Sequence, residues 1–255
     1  MPPSLLMEEL TSPEVSRLIS EGWRTVIVPL GATEQHGPAL PLLVDNEHGL
    51  QTALRAARKL GKTLVGPVVT LGHSPEHASF AGTISLSPAT VAAMIGEIAA
   101  SHARSGFNLI YFWVAHGGNF AVLKSLLPGL HGKWPGCRVA GLEDLTAYLK
   151  ATWDLAPKKE GVASAVSGSH AGEFETSMML AARPDLVRMD RAEAGDPRPL
   201  EDVVDLMFKS GIQAVSANGV LGDQRAGNAQ RGDRYLDVLA DFLAGDVQRH
   251  RATVK

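Results

Sequence analysis

Seven side chains able to do metal or acid–base chemistry fall in three short stretches: Glu34, His36 and Asp45 in GATEQHGPALPLLVD, His116 in VAHGGN, and His170, Glu173 and Glu175 in SHAGEFETSMML. Glu34 and His36 are two apart, so in an extended segment their side chains leave on the same side. Carboxylates and imidazoles without thiolates suit Zn²⁺, Mn²⁺ or Fe²⁺. A carboxylate shared by two ions gives the paired-metal clamp of hydrolases, with the ions ~3.5–4 Å apart. Asp45, at the centre of the set, is the candidate bridge. His170 is the candidate general acid or base toward a metal-bound water.

These residues need a scaffold that presents them together, and the hydrophobic pattern supplies one. Residues 25–30, TVIVPL, read as a buried strand, and the Glu34 to Asp45 loop leaves its carboxyl end. Ser12 as cap and Pro13 as first helical residue start a helix before it. An Ala/Leu helix follows Asp45 and stops at Gly61. Residues 64–71 give a second strand running into a polar loop with Glu76 and His77, and Ser87-Pro88 caps a helix to about residue 105. Residues 108–115, unbroken apolar, read as a third strand buried on both faces. It ends at His116, and Asn119 stands as cap of the next helix. A fourth strand over 137–142, a long loop over 153–169 able to act as a lid, a helix over 170–182, a Gly-rich segment over 218–232 and a terminal helix over 233–249 complete the reading. Strand, polar loop and helix alternate about four times, which predicts a doubly wound α/β fold. No composition shift marks a boundary, so residues 1–255 are read as one domain.

Helical phase sorts the two glutamates. Ala171, Phe174, Met178, Ala181 and Ala182 form an apolar stripe, with Glu175 on its shoulder and Glu173 round toward the opposite face. Glu175 is therefore expected inward as a ligand and Glu173 in solvent.

Other readings compete. His116-Gly-Gly-Asn alone is an ordinary turn and helix cap. As a phosphate cradle it lacks both a Walker lysine and a GxGxxG, which weakens a nucleotide- or phosphate-binding module. His170 alone could be a satisfied core histidine. Glu76 and His77 divide evenly between loop structure and substrate contact. Convergence of the donors at the ends of parallel strands favours the metal site.

Composition narrows the class. The 255-residue chain is 45% apolar and 20% charged with a net charge of −3, which offers no basic footprint for nucleic acid or an anionic membrane. Its single cysteine, Cys137, excludes an internal disulfide and a multi-cysteine zinc site. The N-terminus has no signal-peptide pattern and no apolar run approaches membrane-helix length, so a cytoplasmic protein is expected.

The three donor stretches, with EHASFAGTISLSP and NGVLGDQRAGNAQRG, resemble the signatures of the creatininase (creatinine amidohydrolase) family over residues 20–240. The resemblance implies a three-layer αβα sandwich around a mostly parallel sheet and two divalent ions, Zn²⁺ first, Mn²⁺ or Fe²⁺ next. It also implies a homo-oligomer, commonly a hexamer. Carried over residue by residue, it makes Glu34, His36, Asp45 and His116 metal ligands with Asp45 bridging. It puts His170 beside the nucleophilic water and Glu175 in or next to the metal shell. The family also contains formamide-cleaving deformylases, a metal-dependent peptidase of a redox-peptide pathway and hydrolases of inositol-derived cyclic ketones.

Departures bear on substrate. Gly117 and Gly118 stand where creatininase carries Tyr-Glu, the glutamate binding the second metal; that metal then takes its carboxylate elsewhere, from Glu175 as first choice, or binds weakly. Val166 stands where creatininase has a tryptophan against its flat substrate, and Ala39 replaces a second histidine of the first loop. The expected activity is hydrolysis of a cyclic amide or other C–N bond in a small molecule other than creatinine, with His170 passing a proton to the leaving nitrogen and His77 contacting substrate.

Overall fold

A computed structural model describes residues 2–254. Four parallel strands, β1 (Thr25–Leu30), β2 (Thr63–Val65), β3 (Leu109–Val114) and β4 (Arg138–Gly141), form one sheet in the order β2-β1-β3-β4. The registers pair Thr25 with Thr63 on one side and Thr25 with Leu109 on the other. Every residue of β1 and β3 is buried, as the unbroken apolar runs require.

Helices cover both faces. α2 (Val44–Leu60), α8 (Glu173–Ala182) and α10 (Ala229–Arg251) pack together on one side, and α3 (Pro88–Ser105) lies against α4 (Gly118–Leu130) on the other. The expected three-layer αβα sandwich is observed. Strand order reverses between β1 and β3, and their adjacent carboxyl ends form the crevice in which doubly wound sheets bind ligands. Among the described residues, no helix is long and apolar enough to cross a membrane.

Several local readings are corrected. α1 (Ser12–Ser20) is capped not by Ser12 but by the residue before it, Thr11, and the Thr11 backbone N–H donates to Glu14. β2 ends at Val65 instead of running to residue 71. Pro29 and Pro67 have no N–H to give the ladder, which skips until Val69 donates to Pro29 O and accepts from Gly31 N–H. The segment at 153–169 is not one long loop: α5 (Leu145–Leu149) and a π turn over Lys150–Asp154 lead into α6 (Leu155–Lys159), and α7 (Ser164–Ser167) follows. Ala156, Pro157 and Ser167 are buried there, and the rest is half-buried or exposed. α10 begins four residues before the expected start, at Ala229, with the Asn228 side chain capping it through Arg231 N–H. A further amphipathic helix, Leu200–Ser210, lies in a stretch that yielded no sequence reading.

Candidate metal centre

The first loop leaves β1 and folds back so that Glu34 N–H donates to Leu42 O. It then enters α2 at Val44, which puts Asp45 in the first helical turn, where sequence reading left it in a loop. Helix geometry sets His48 one turn on, facing the same way as Asp45. Close approach holds this helix to the sheet: a Cβ on Gly49 would come within 2.7 Å of the Ala115 side chain. Asn119 is not a helix cap. Its amide donates to Gly31 O and accepts from His73 N–H, clipping together the loops after β1, β2 and β3.

His170 lies ahead of α8, not on it. It pairs in an isolated bridge with Leu221, and Ala171 takes a positive φ of 55° to turn the chain into the helix. That turn aims Ala171 N–H at Glu175, which accepts it. Glu175 points inward as expected. Glu173 does not reach solvent: it is buried, accepting from Arg231 and Ser177 at 2.7 Å each and from Tyr235. Periodicity misplaced it because α10 packs over the face that solvent would otherwise cover.

The donors converge. Asp45 Oδ2 stands 3.4 Å from His116 Nδ1, which is 3.3 Å from Glu34 Oε2. Asp45 Oδ1 stands 3.5 Å from His36 Nε2 and 3.6 Å from His48 Nε2, and His36 Nε2 is 3.7 Å from Glu175 Oε1. Ligand atoms 2.0–2.2 Å from a tetrahedral ion stand about 3.3–3.6 Å from one another. These separations are long for hydrogen bonds and close to that spacing. Glu34 Oε2, His36 Nε2, Asp45 Oδ2 and both nitrogens of His48 are buried without a hydrogen-bond partner. Such atoms are costly unless something compensates them, and the chemistry of the donor set fits divalent ions.

The other ring atoms fix the imidazoles. His116 Nε2–H donates to His73 O at 2.9 Å, leaving Nδ1 free; His36 Nδ1–H donates to Glu34 O at 3.2 Å, leaving Nε2 free. This is how a protein presets a ligand tautomer. His170 Nε2–H donates to Gln35 O at 2.9 Å, leaving Nδ1 3.9 Å from Glu34 Oε1. His77 accepts from the Gln35 amide at Nδ1 and turns Nε2 toward Glu34 Oε1 at 3.5 Å. His77 thus lies inside the cluster, its ring 4.4 Å from that of His170.

Electrostatics divide the histidines. Burial pulls the His36 imidazole down, but Glu175 and Asp45 outweigh it and hold it well above the ordinary value. Burial also opposes charge on His116, and Glu34 overcomes it. Burial would raise Glu34, yet His116 beside it brings its carboxyl to about 2. His170 and His77 go the other way. Burial, then the neighbouring His36, lowers His170; burial, then His170, lowers His77 to about 3. Without an ion the carboxylates are balanced by protons on His36 and His116; His170 stays neutral and able to take a proton.

Sequence reasoning missed His48, Gln35 and Asn119. Only His48 had a legible signal, its i,i+3 spacing from Asp45 in a helical segment.

The family model described as creatininase, creatinine amidohydrolase, matches residues 8–247. The chain is 31% identical over 259 residues to a mycofactocin precursor peptide peptidase of Mycobacterium ulcerans (strain Agy99), covering 96% of this chain and 92% of that protein. It is 27% identical to a creatinine amidohydrolase of Pseudomonas putida, covering 97% and 98%. A solved structure named "Creatininase Mn" superposes with a TM-score of 0.78 at 26% identity over 97% of this chain and 98% of that one. A creatininase variant described as Zn-Zn type gives 0.73 at 25% identity over 98% and 99%.

Proposed function

The chain belongs to the creatininase family and is a metal-dependent hydrolase of amide-type C–N bonds, and we infer that it works with two divalent ions on a small-molecule amide other than creatinine. One observation carries the binuclear reading: the two oxygens of Asp45 face different donor sets, Oδ2 toward His116, which in turn meets Glu34, and Oδ1 toward His36. Glu34, Asp45 and His116 would hold one ion; His36, Asp45 and Glu175 the other. Zn²⁺ is the first choice and Mn²⁺ the second, in keeping with the O/N donors and the ions named for the related structures. When bound, such ions supply Lewis acidity and bring the pKa of a water toward ~7.

The rest of the chemistry belongs to the chain's own side chains. His170 is pinned through Nε2–H to Gln35 O, which leaves Nδ1 as the atom that takes a proton from the attacking water and returns it to the leaving nitrogen. Gln35 also donates to His77 and to Gly219 O, so one amide fixes both rings against the Gly-rich segment. His77 closes the Glu34 side of the cluster, where a substrate carbonyl would meet it. Burial of the ligands keeps bulk water from competing for the charges.

A second reading, peptide cleavage at the same site, is favoured by the similarity to proteins named as peptide peptidases. Val166, half-buried where creatininase has tryptophan, removes the flat aromatic wall and suits a substrate that is not a planar ring. A homo-oligomer goes with either reading, supported by the exposed Leu206 and Phe208 on α9 (Leu200–Ser210).

Metal content of the gently purified protein, measured by plasma mass spectrometry, tests the site. About two divalent ions per chain are expected. Absence of metal even after reconstitution would sink the mechanism. Hydrolysis of cyclic amides, formamides and peptides by the loaded enzyme then decides between the two substrate classes.

A further inference from the structure

We propose that His48 is a direct ligand of the second metal ion, a nitrogen donor added beside Glu175 in a chain that can carry no side chain at the first position of α4. The proposal rests on the binuclear reading and sharpens it.

His48 is fully buried, and neither ring nitrogen has a hydrogen-bond partner. A buried imidazole ordinarily donates from one nitrogen and accepts at the other, and leaving both unmet is costly. The other cluster imidazoles, His36, His77, His116 and His170, each have at least one nitrogen engaged with a backbone carbonyl or with Gln35. His48 differs in having neither. Its Nε2 is turned to Asp45 Oδ1 at 3.6 Å, the same oxygen that faces His36 Nε2 at 3.5 Å. Donor atoms of Asp45, His48 and Glu175 lie within 4.8 Å of one another, a spread that one ion can span. His36 stands beside them, 3.7 Å from Glu175 Oε1.

The alternative source of a donor is closed by geometry. A Cβ on Gly118 would fall 2.0 Å from His73 O and 2.5 Å from His116 Nε2, so no side chain fits there. The tight junction between the β2 loop and the start of α4 that orients His116 is what excludes it. Asp45 and His48, one turn apart on a rigid helix, arrive instead from the opposite wall. An imidazole added to His36, Asp45 and Glu175 makes the second site richer in nitrogen, which suits Zn²⁺ and Co²⁺ better than Mn²⁺.

The test uses the full-length protein and His48→Leu, which keeps the volume and removes the nitrogens. Chelator-stripped wild type and variant are melted to establish that both fold, then titrated with Zn²⁺ against a chromophoric chelator and loaded with Co²⁺ for visible spectra. Two ions in wild type, one of them bound at least ~10-fold more weakly in His48→Leu with an altered Co²⁺ spectrum, is the expected result. Preference at that site should shift toward Mn²⁺. Equal affinities and identical spectra would overturn the role of His48 while leaving the two-ion reading intact; wild type that binds no ion would overturn both. Wild type loaded with ¹¹³Cd and ¹⁵N-histidine gives a check that needs no variant. Metal coupling to ring nitrogens of three histidines supports the proposal, and coupling to two refutes it.

Discussion

Asp45 Oδ2 stands 3.4 Å from His116 Nδ1, although the two residues begin on different elements, one in the first turn of α2 and the other just past β3. Neither atom has a proton to share once the histidine is neutral, since His116 commits its N–H to His73 O. A proton on His116 answers this in the ion-free protein, and a divalent cation would take that proton's place between the two donors.

Asp45→Asn removes the charge while keeping the shape. Because the two Asp45 oxygens face different donor sets, the variant should lose both ions and all hydrolytic activity, with the apo fold retained. Metal analysis after gel filtration checks this, and retention of one full equivalent would show that Asp45 serves a single ion.

Glu175→Gln and Glu173→Gln should fail in different ways. Glu175 Oε1 faces His36, so its loss should lower metal occupancy and rate by at least ~10-fold. Glu173 accepts from Arg231, Ser177 and Tyr235 away from the ions, so its loss should cost about 1–3 kcal/mol of stability and leave metal content unchanged. Thermal melts and metal analysis of both variants separate the effects; matching profiles would mean that α8 serves one role through both side chains.

Gly118→Ala adds one methyl group where there is no room. With backbone oxygen at 2.0 Å, the junction must shift, destabilising the protein by about 1–3 kcal/mol and turning His116. Weaker metal binding together with a lower Tm is expected; a variant indistinguishable from wild type in both would show that the β2 loop yields freely.

His102 gives the fold an acid sensitivity unrelated to the site. Burial beside Phe107 lowers its pKa to about 4. A histidine depressed in the folded state binds its proton more tightly when unfolded, so stability falls as pH drops from ~6.5 toward 4, by up to about 3 kcal/mol. His102→Leu should flatten the pH dependence of chemical denaturation in that window, measured with chelator present so that metal loss does not contribute. An unchanged slope would assign the acid sensitivity to other groups.

Much was legible in the chain alone, because the signals are local. Six-residue apolar runs make buried strands whatever surrounds them, prolines and glycines end elements where they stand, and donors following strands must cluster if the strands are parallel neighbours. Glu34, His36, Asp45 and His116 were named on that basis, His170 and Glu175 from a helix expected to face them, and the fold brings all six together. Tertiary structure decided what depends on the far side of each element. Helical phase put Glu173 in solvent, but α8 is covered by α10 on that face, and a period reports which residues share a side without saying what packs against it. Residues 153–169 gave no period because their helices are too short to repeat one. His48 drew no notice as one polar residue in an Ala/Leu helix; only the approach of α2 to β3 shows that both its nitrogens are unpartnered and that Nε2 faces Asp45.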